Sequence, residues 1–228
     1  DIAIGSASYT TTAPGNTGGV LAGAGPWTLA NDQNINAFSS HTYTITIKVT
    51  LNLEAGSSGD NIYTKCNAQT PGDPAAGEGL YNQSRMDSNN DGTPEEVKEA
   101  CGDLPYVVNA KTLSSITPLG GNMYTVVYQL TVKNLGGVTG VYDLVDVPGF
   151  DNDIVINNAS FTTTGPGAGG VLAGNGPWTL ANNLNIPAGT THTYTITLKV
   201  TIQMEGGAGD DRYVKCGEGT PGDPTAGE

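Results

Sequence analysis

Tyr43, Ile45, Ile47, Val49, Leu51 and Leu53 alternate with Thr42, Thr44, Thr46, Lys48, Thr50 and Asn52. A period of two puts the apolar set on one face of an extended chain and the polar set on the other, so a half-buried β-strand is expected here. The pattern returns between Thr193 and Met204. It also runs through Tyr124, Val126, Tyr128, Leu130 and Val132, which alternate with Thr125, Val127, Gln129, Thr131 and Lys133. Shorter runs predict strands at 105–113, 140–147, 153–164, 177–186 and 211–216. Gly120-Gly121, Gly136-Gly137, Pro148-Gly149, Pro166-Gly167 and Gly206-Gly207 punctuate them. Seven short strands in about 110 residues, with no helical period between them, predict an all-β, immunoglobulin-like β-sandwich.

A second pattern has a much longer period. Residues 1–78 and 153–228 align with 50 identities in 76 pairs and two one-residue gaps. Asp1 corresponds to Asp153, Trp27 to Trp178, His41 to His192, Cys66 to Cys216 and Glu78 to Glu228. Self-similarity at a fixed period is the mark of a repeat architecture. Residues 1–78 then read as the back half of a preceding sandwich repeat and 79–101 as an inter-repeat linker. Residues 102–228 read as a complete repeat plus the start of the next linker. Half a sandwich exposes an apolar face and unpaired strand edges. The chain is therefore expected to continue in both directions, the alternative being that another copy supplies the missing strands.

Composition sharpens this picture. Charged residues make up 14% of the chain and glycine contributes 33 residues, a mixture that disfavours helices and suits strands joined by turns. The net charge of −13, with only nine Lys and Arg, excludes phosphate-backbone binding and hence nucleic acid. It equally excludes electrostatic attachment to anionic lipid. No apolar run approaches the roughly 20 residues of a membrane span, so direct membrane insertion is not expected. The spare carboxylates suit hard cations.

The predicted linker carries Asp87-Ser-Asn89-Asn-Asp91-Gly92-Thr93-Pro-Glu95-Glu96. Oxygen side chains at alternate positions, followed by a Gly that permits a sharp turn, match the opening half of an EF-hand-type Ca2+ loop. Asp87, Asn89, Asp91, the Thr93 carbonyl, and Glu95 or Glu96 are the candidate ligands. The twelfth position holds Lys98 instead of the usual bidentate Glu, so Glu95, Glu96 or Glu99 must supply the last oxygen, or the site is weaker. The competing reading is an Asx-rich turn without metal. Cys66 and Cys101 bracket this segment, and a disulfide between them would close a loop of roughly 35 residues and imply an oxidising compartment. Cys216 is then expected to be unpaired within this chain.

Other residues point away from catalysis. No nucleophile motif, phosphate loop, dinucleotide fingerprint or zinc spacing occurs, so the chain is not expected to be an enzyme. His41 and His192 recur at one repeat position at a strand start, which favours a structural role. Trp27 and Trp178, both in Gly-Pro-Trp-Thr-Leu, read as core aromatics, with a sugar-stacking platform as the rival role. Lys111 and Asn134 raise the question of an intramolecular isopeptide.

Lys111-Thr-Leu, the stretch Tyr124-Thr-Val-Val-Tyr-Gln-Leu-Thr-Val-Lys-Asn-Leu-Gly-Gly, Tyr142-Asp-Leu-Val-Asp and the Thr-His-Thr-Tyr-Thr-Ile-Thr strand resemble conserved-repeat surface domains. Those are immunoglobulin-like modules strung along giant bacterial cell-surface proteins, including large adhesins of gliding bacteria. The resemblance implies a non-enzymatic, extracellular, surface-anchored fibre or adhesin stalk. The aspartate-rich loop resembles calcium loops between such modules, and Asp87, Asn89, Asp91, Thr93 and Glu95 carry over. Expected partners are neighbouring repeats of the same protein and bundled copies of the chain. A ligand- or glycan-binding adhesin module gripping another cell surface, and an accessory domain of a secreted hydrolase, are the alternatives.

Overall fold

The structure, a computed structural model, describes residues 2–52, 65–67 and 76–203. Among the described residues the chain is all-β, with no helix and with antiparallel sheets throughout. It divides into two compact units, Asp1–Asp103 and Leu104–Glu228.

The first unit contains β1 (Ile2–Thr11), β2 (Gly19–Leu21) and β3 (Tyr43–Leu51), followed by β4 (Asn82–Met86) and β5 (Glu96–Ala100). The first three make a sheet in the order β2-β1-β3, while β4 and β5 form a separate hairpin. The second unit contains β6 (Val107–Gly120), β7 (Met123–Asn134), β8 (Gly140–Asp146), β9 (Ile154–Thr163), β10 (Gly170–Leu172), β11 (Trp178–Ile186) and β12 (Thr191–Ile202). These build a five-stranded sheet, β10-β9-β12-β7-β6, and a two-stranded sheet, β11-β8.

The core of the second unit lies between those two sheets, the arrangement of a β-sandwich. The five-stranded sheet contributes Leu130, Val132, Ala159, Tyr194, Ile196 and Leu198, and the other contributes Tyr142, Leu144, Trp178 and Ile186. Strict alternation in β8 and β12 produces this, since every second side chain points into the gap. The strands expected at 124–133, 140–147, 153–164, 177–186 and 193–204 form with ends shifted by one or two residues. The strand expected at 105–113 instead extends to Gly120, because its second half stays paired with β7 past register shifts at Leu113/Ser115 and Pro118/Gly120. That half is an exposed edge, where Pro118 forfeits no ladder bond in the sheet interior. Leu53, the expected strand at 211–216 and Cys216 lie outside the described residues.

The two aligned segments form matching sheets. Ala7 faces Leu21 and Ile47, while Ala159 faces Leu172 and Leu198. The ladders slip at equivalent points, between Ile4 and Ser6 in one and between Lys199 and Val200 in the other. The match then breaks. Trp178–Ile186 is a strand paired to β8, whereas the near-identical residues 27–35 form no strand. Ile186 is 0% exposed and its counterpart Ile35 is 59% exposed.

Candidate cation site on a disulfide-clamped hairpin

Strands β4 and β5 pair from Asn82–Ala100 to Met86–Glu96, which leaves residues 87–95 as the connecting loop. Neither strand carries apolar alternation, and β5 is exposed throughout. Its order cannot come from burial. Two local devices hold it.

The first is a chain of side chain-to-backbone hydrogen bonds in the loop. Asp87 Oδ1 accepts from the N–H groups of Asn89 (3.2 Å) and Asn90 (2.6 Å), and its Oδ2 accepts from Gly92 N–H (2.7 Å). Asn89 Oδ1 accepts from Asp91 N–H at 2.9 Å, and Asp91 Oδ1 from Thr93 N–H at 2.8 Å. Glu95 Oε2 closes the loop by accepting from Ser88 N–H (2.6 Å) and Ser88 Oγ (3.1 Å). Asx side chains favour such turns because they satisfy backbone donors two residues on. Asn90 (φ 60°) and Gly92 (φ 85°) take the left-handed conformations these turns need.

The result gathers charge. Asp87, Asp91 and Glu95 are exposed, and each offers a carboxylate oxygen within 4.8 Å of the others. Partial desolvation pushes the Asp87 carboxyl up. The backbone donors of Gly92, Asn90, Asn89 and Asp91 outweigh it and hold the group below its ordinary value. Three of these N–H groups, those of Asn89, Asn90 and Gly92, form hydrogen bonds to Asp87, so one of the carboxylate's roughly four lone-pair sites is left for a cation. Of the expected ligands, Glu96 does not join the cluster: it opens β5 and pairs with Lys98 at 2.8 Å. Lys98 also sits on β5, opposite Ser84, so the loop ends before the twelfth position. Asn89 turns its Nδ2 toward Asp91 Oδ2 (3.1 Å) and spends its Oδ1 on Asp91 N–H. Thr93 contributes its N–H to the turn network.

The second device is covalent. Cys66 and Cys101 are bonded, with sulfurs 2.03 Å apart, as their bracketing positions predict. Around the bridge, Leu80 N–H donates to Gly102 O (2.7 Å), Cys66 N–H to Asp103 Oδ1 (2.8 Å), and Asn67 N–H to the fully buried Glu78 (2.9 Å). Gly79 is required here. Its φ is +45°, and a Cβ would lie 2.6 Å from Gly102 O and 3.0 Å from Cys66 Sγ.

The sequence candidates of the second unit take up structural contacts. Lys111 and Asn134 are not partners, because the ladder sets Lys111 against Leu130 and Asn134 against Val107. Lys111 instead pairs with the buried Asp146 and lies 4.9 Å above the Tyr128 ring. Asn134 is fully buried. Its Oδ1 accepts from Tyr106 N–H (3.2 Å) and Gly136 N–H (3.0 Å), while its Nδ2 donates to Val138 O (2.7 Å) and Ile186 O (2.9 Å). Trp178 is 4% exposed, with Nε1 donating to Ala173 O, so it has no face for a sugar. His192 is buried, and its Nδ1 is 2.7 Å from the Tyr142 hydroxyl, which meets the Tyr194 hydroxyl at 2.6 Å. Sequence reasoning missed this triad and the Asn134 hub. Alternation alone says which side chains point inward, not which polar ones meet there.

Compared with protein-family models, curated proteins and solved structures, the chain matches none.

Proposed function

We propose that this chain is a structural repeat of a long extracellular bacterial surface fibre or adhesin stalk, with no enzymatic role. Its sandwich units are joined by a linker over 79–101 that Ca2+ and the Cys66–Cys101 disulfide make rigid. The observation that carries the reading is the hairpin itself. One end is held by a disulfide, and the loop at the other gathers Asp87, Asp91 and Glu95. Three like charges so close repel one another, and a divalent ion that neutralises them would convert the loop from a spring into a strut. The bridge supports an oxidising, extracellular location, and the 50 identities in 76 aligned pairs support a serial arrangement.

Calorimetric titration of the disulfide-bonded protein with calcium tests the site. Binding is expected to be lost in Asp87→Asn and Asp91→Asn and kept in Glu96→Gln. No heat in the parent protein, or equal binding in all four proteins, would overturn the cation part of the proposal.

A further inference from the structure

The two matching sheets differ in what covers them. In the second unit, β12 pairs with β9 on one side and with β7 on the other, from Thr191–Lys133 to Thr201–Met123. In the first unit, β3 pairs with β1 alone among the described residues. The inward row of β12 consists of Tyr194, Ile196, Leu198 and Val200, which are 1%, 0%, 1% and 4% exposed. The equivalent row of β3, Tyr43, Ile45, Ile47 and Val49, is only half-buried. Trp27 and Leu29 are likewise half-buried where Trp178 and Leu180 are buried.

We propose that the edge of β3 left unpaired among the described residues, with the apolar face of β1–β3, is an acceptor for a polypeptide segment of the kind found at residues 104–152, which carries β6, β7 and β8. The donor is another repeat of this kind, one whose own back half does not hold that segment. The pairing in the second unit fixes the register. Leu130, Tyr128, Val126 and Tyr124 of the donor strand lie opposite Tyr43, Ile45, Ile47 and Val49, as they do opposite Tyr194, Ile196, Leu198 and Val200. The donor's Tyr142 hydroxyl meets His41 Nδ1 and the Tyr43 hydroxyl, reproducing the contacts with His192 and Tyr194. An unrelated strand could satisfy the edge bonds of β3 but would leave the His41–Tyr43 position unfilled. This inference goes beyond the calcium-stiffened stalk and does not rest on it.

The test uses the full 228-residue protein, isotopically labelled, with the unlabelled polypeptide 104–152 added in trans. Backbone amides of β3 on that edge should exchange at least about tenfold more slowly, the protection expected of a newly paired strand. The Nδ1 resonance of His41 should move with the same stoichiometry, and a donor carrying Leu130→Asp should do neither. If 104–152 alone does not stay soluble, the same segment is placed directly ahead of Asp1, which recreates the Asn152–Asp153 junction. The proposal is overturned if β3 exchange is unchanged in both formats, or if it slows while His41 does not respond. It is equally overturned if the donor enters only the second unit, or if the undiluted protein alone protects β3 to the same extent.

Discussion

Replacing Asn134 separates a polar anchor from ordinary core packing. Its side chain is 0% exposed and makes four hydrogen bonds, two accepted from Tyr106 and Gly136 and two donated to Val138 and Ile186. Asn134→Ala strands all four partners. Val138 is 40% exposed, so its carbonyl can turn to water. The other three stay buried, at about 1–3 kcal/mol each. Allowing for relaxation, we expect a loss of about 3–5 kcal/mol against a typical domain stability of about 5–15 kcal/mol. Asn134→Asp is the sharper test. One carboxylate oxygen keeps the bonds to Tyr106 and Gly136, but the other faces two carbonyl oxygens where Nδ2 donated at 2.7 and 2.9 Å. Protonation restores a donor, so the introduced carboxyl has a folded pKa raised above its unfolded value of about 3.9. The folded state then binds the extra proton, and the deficit is full at neutral pH and shrinks as pH falls through the raised value. The assay is urea unfolding followed by Trp178 fluorescence in a Trp27→Phe background. Asn134→Asp matching the parent at pH 7, or Asn134→Ala costing under about 1 kcal/mol, would refute the reasoning.

Equivalent substitutions should have unequal costs: Ile196→Ala about 3–4 kcal/mol, Ile45→Ala about half that, read from Trp178 and Trp27 fluorescence respectively. Gly79→Ala should destabilise the oxidised protein by about 1–3 kcal/mol in denaturant, since the new methyl meets Gly102 O and Cys66 Sγ in a left-handed backbone. Burial lowers the His192 pKa from its ordinary 6.5, so the folded state prefers the neutral ring. The stability this lends is complete above pH 6.5 and is lost as pH falls from there through the lowered value, a slope that His192→Gln should reduce in unfolding measurements between pH 7 and 5.

Sequence pattern located the strands that bury one face. β7, β8 and β12 alternate cleanly because one side of each meets the core, and the cysteines that bracket 79–101 are bonded. The failures have physical reasons. Residues 27–35 and 178–186 read almost identically, yet only the second forms a strand, because only it has β8 beside it. Strand formation there is a property of the partner, not of the segment. The β4–β5 hairpin was invisible to a search for apolar alternation, since Asn82–Met86 and Glu96–Ala100 have none and owe their order to the disulfide and the Asx turns. The choice between Glu95 and Glu96 turned on where β5 begins, a boundary that pattern reading leaves loose by a residue or two. Lys111 finding Asp146 rather than Asn134 depended on a ladder register no local motif encodes.

A cation in the Asp87–Glu95 loop is proposed to fix the linker. Small-angle scattering of the disulfide-bonded protein in calcium and then in chelator measures this directly, with calorimetry on the same samples. We expect a broader distance distribution and a changed maximum dimension in chelator, with Trp178 still buried, because its core is built from residues of the second unit alone. Identical scattering curves, together with no calcium bound, would contradict it.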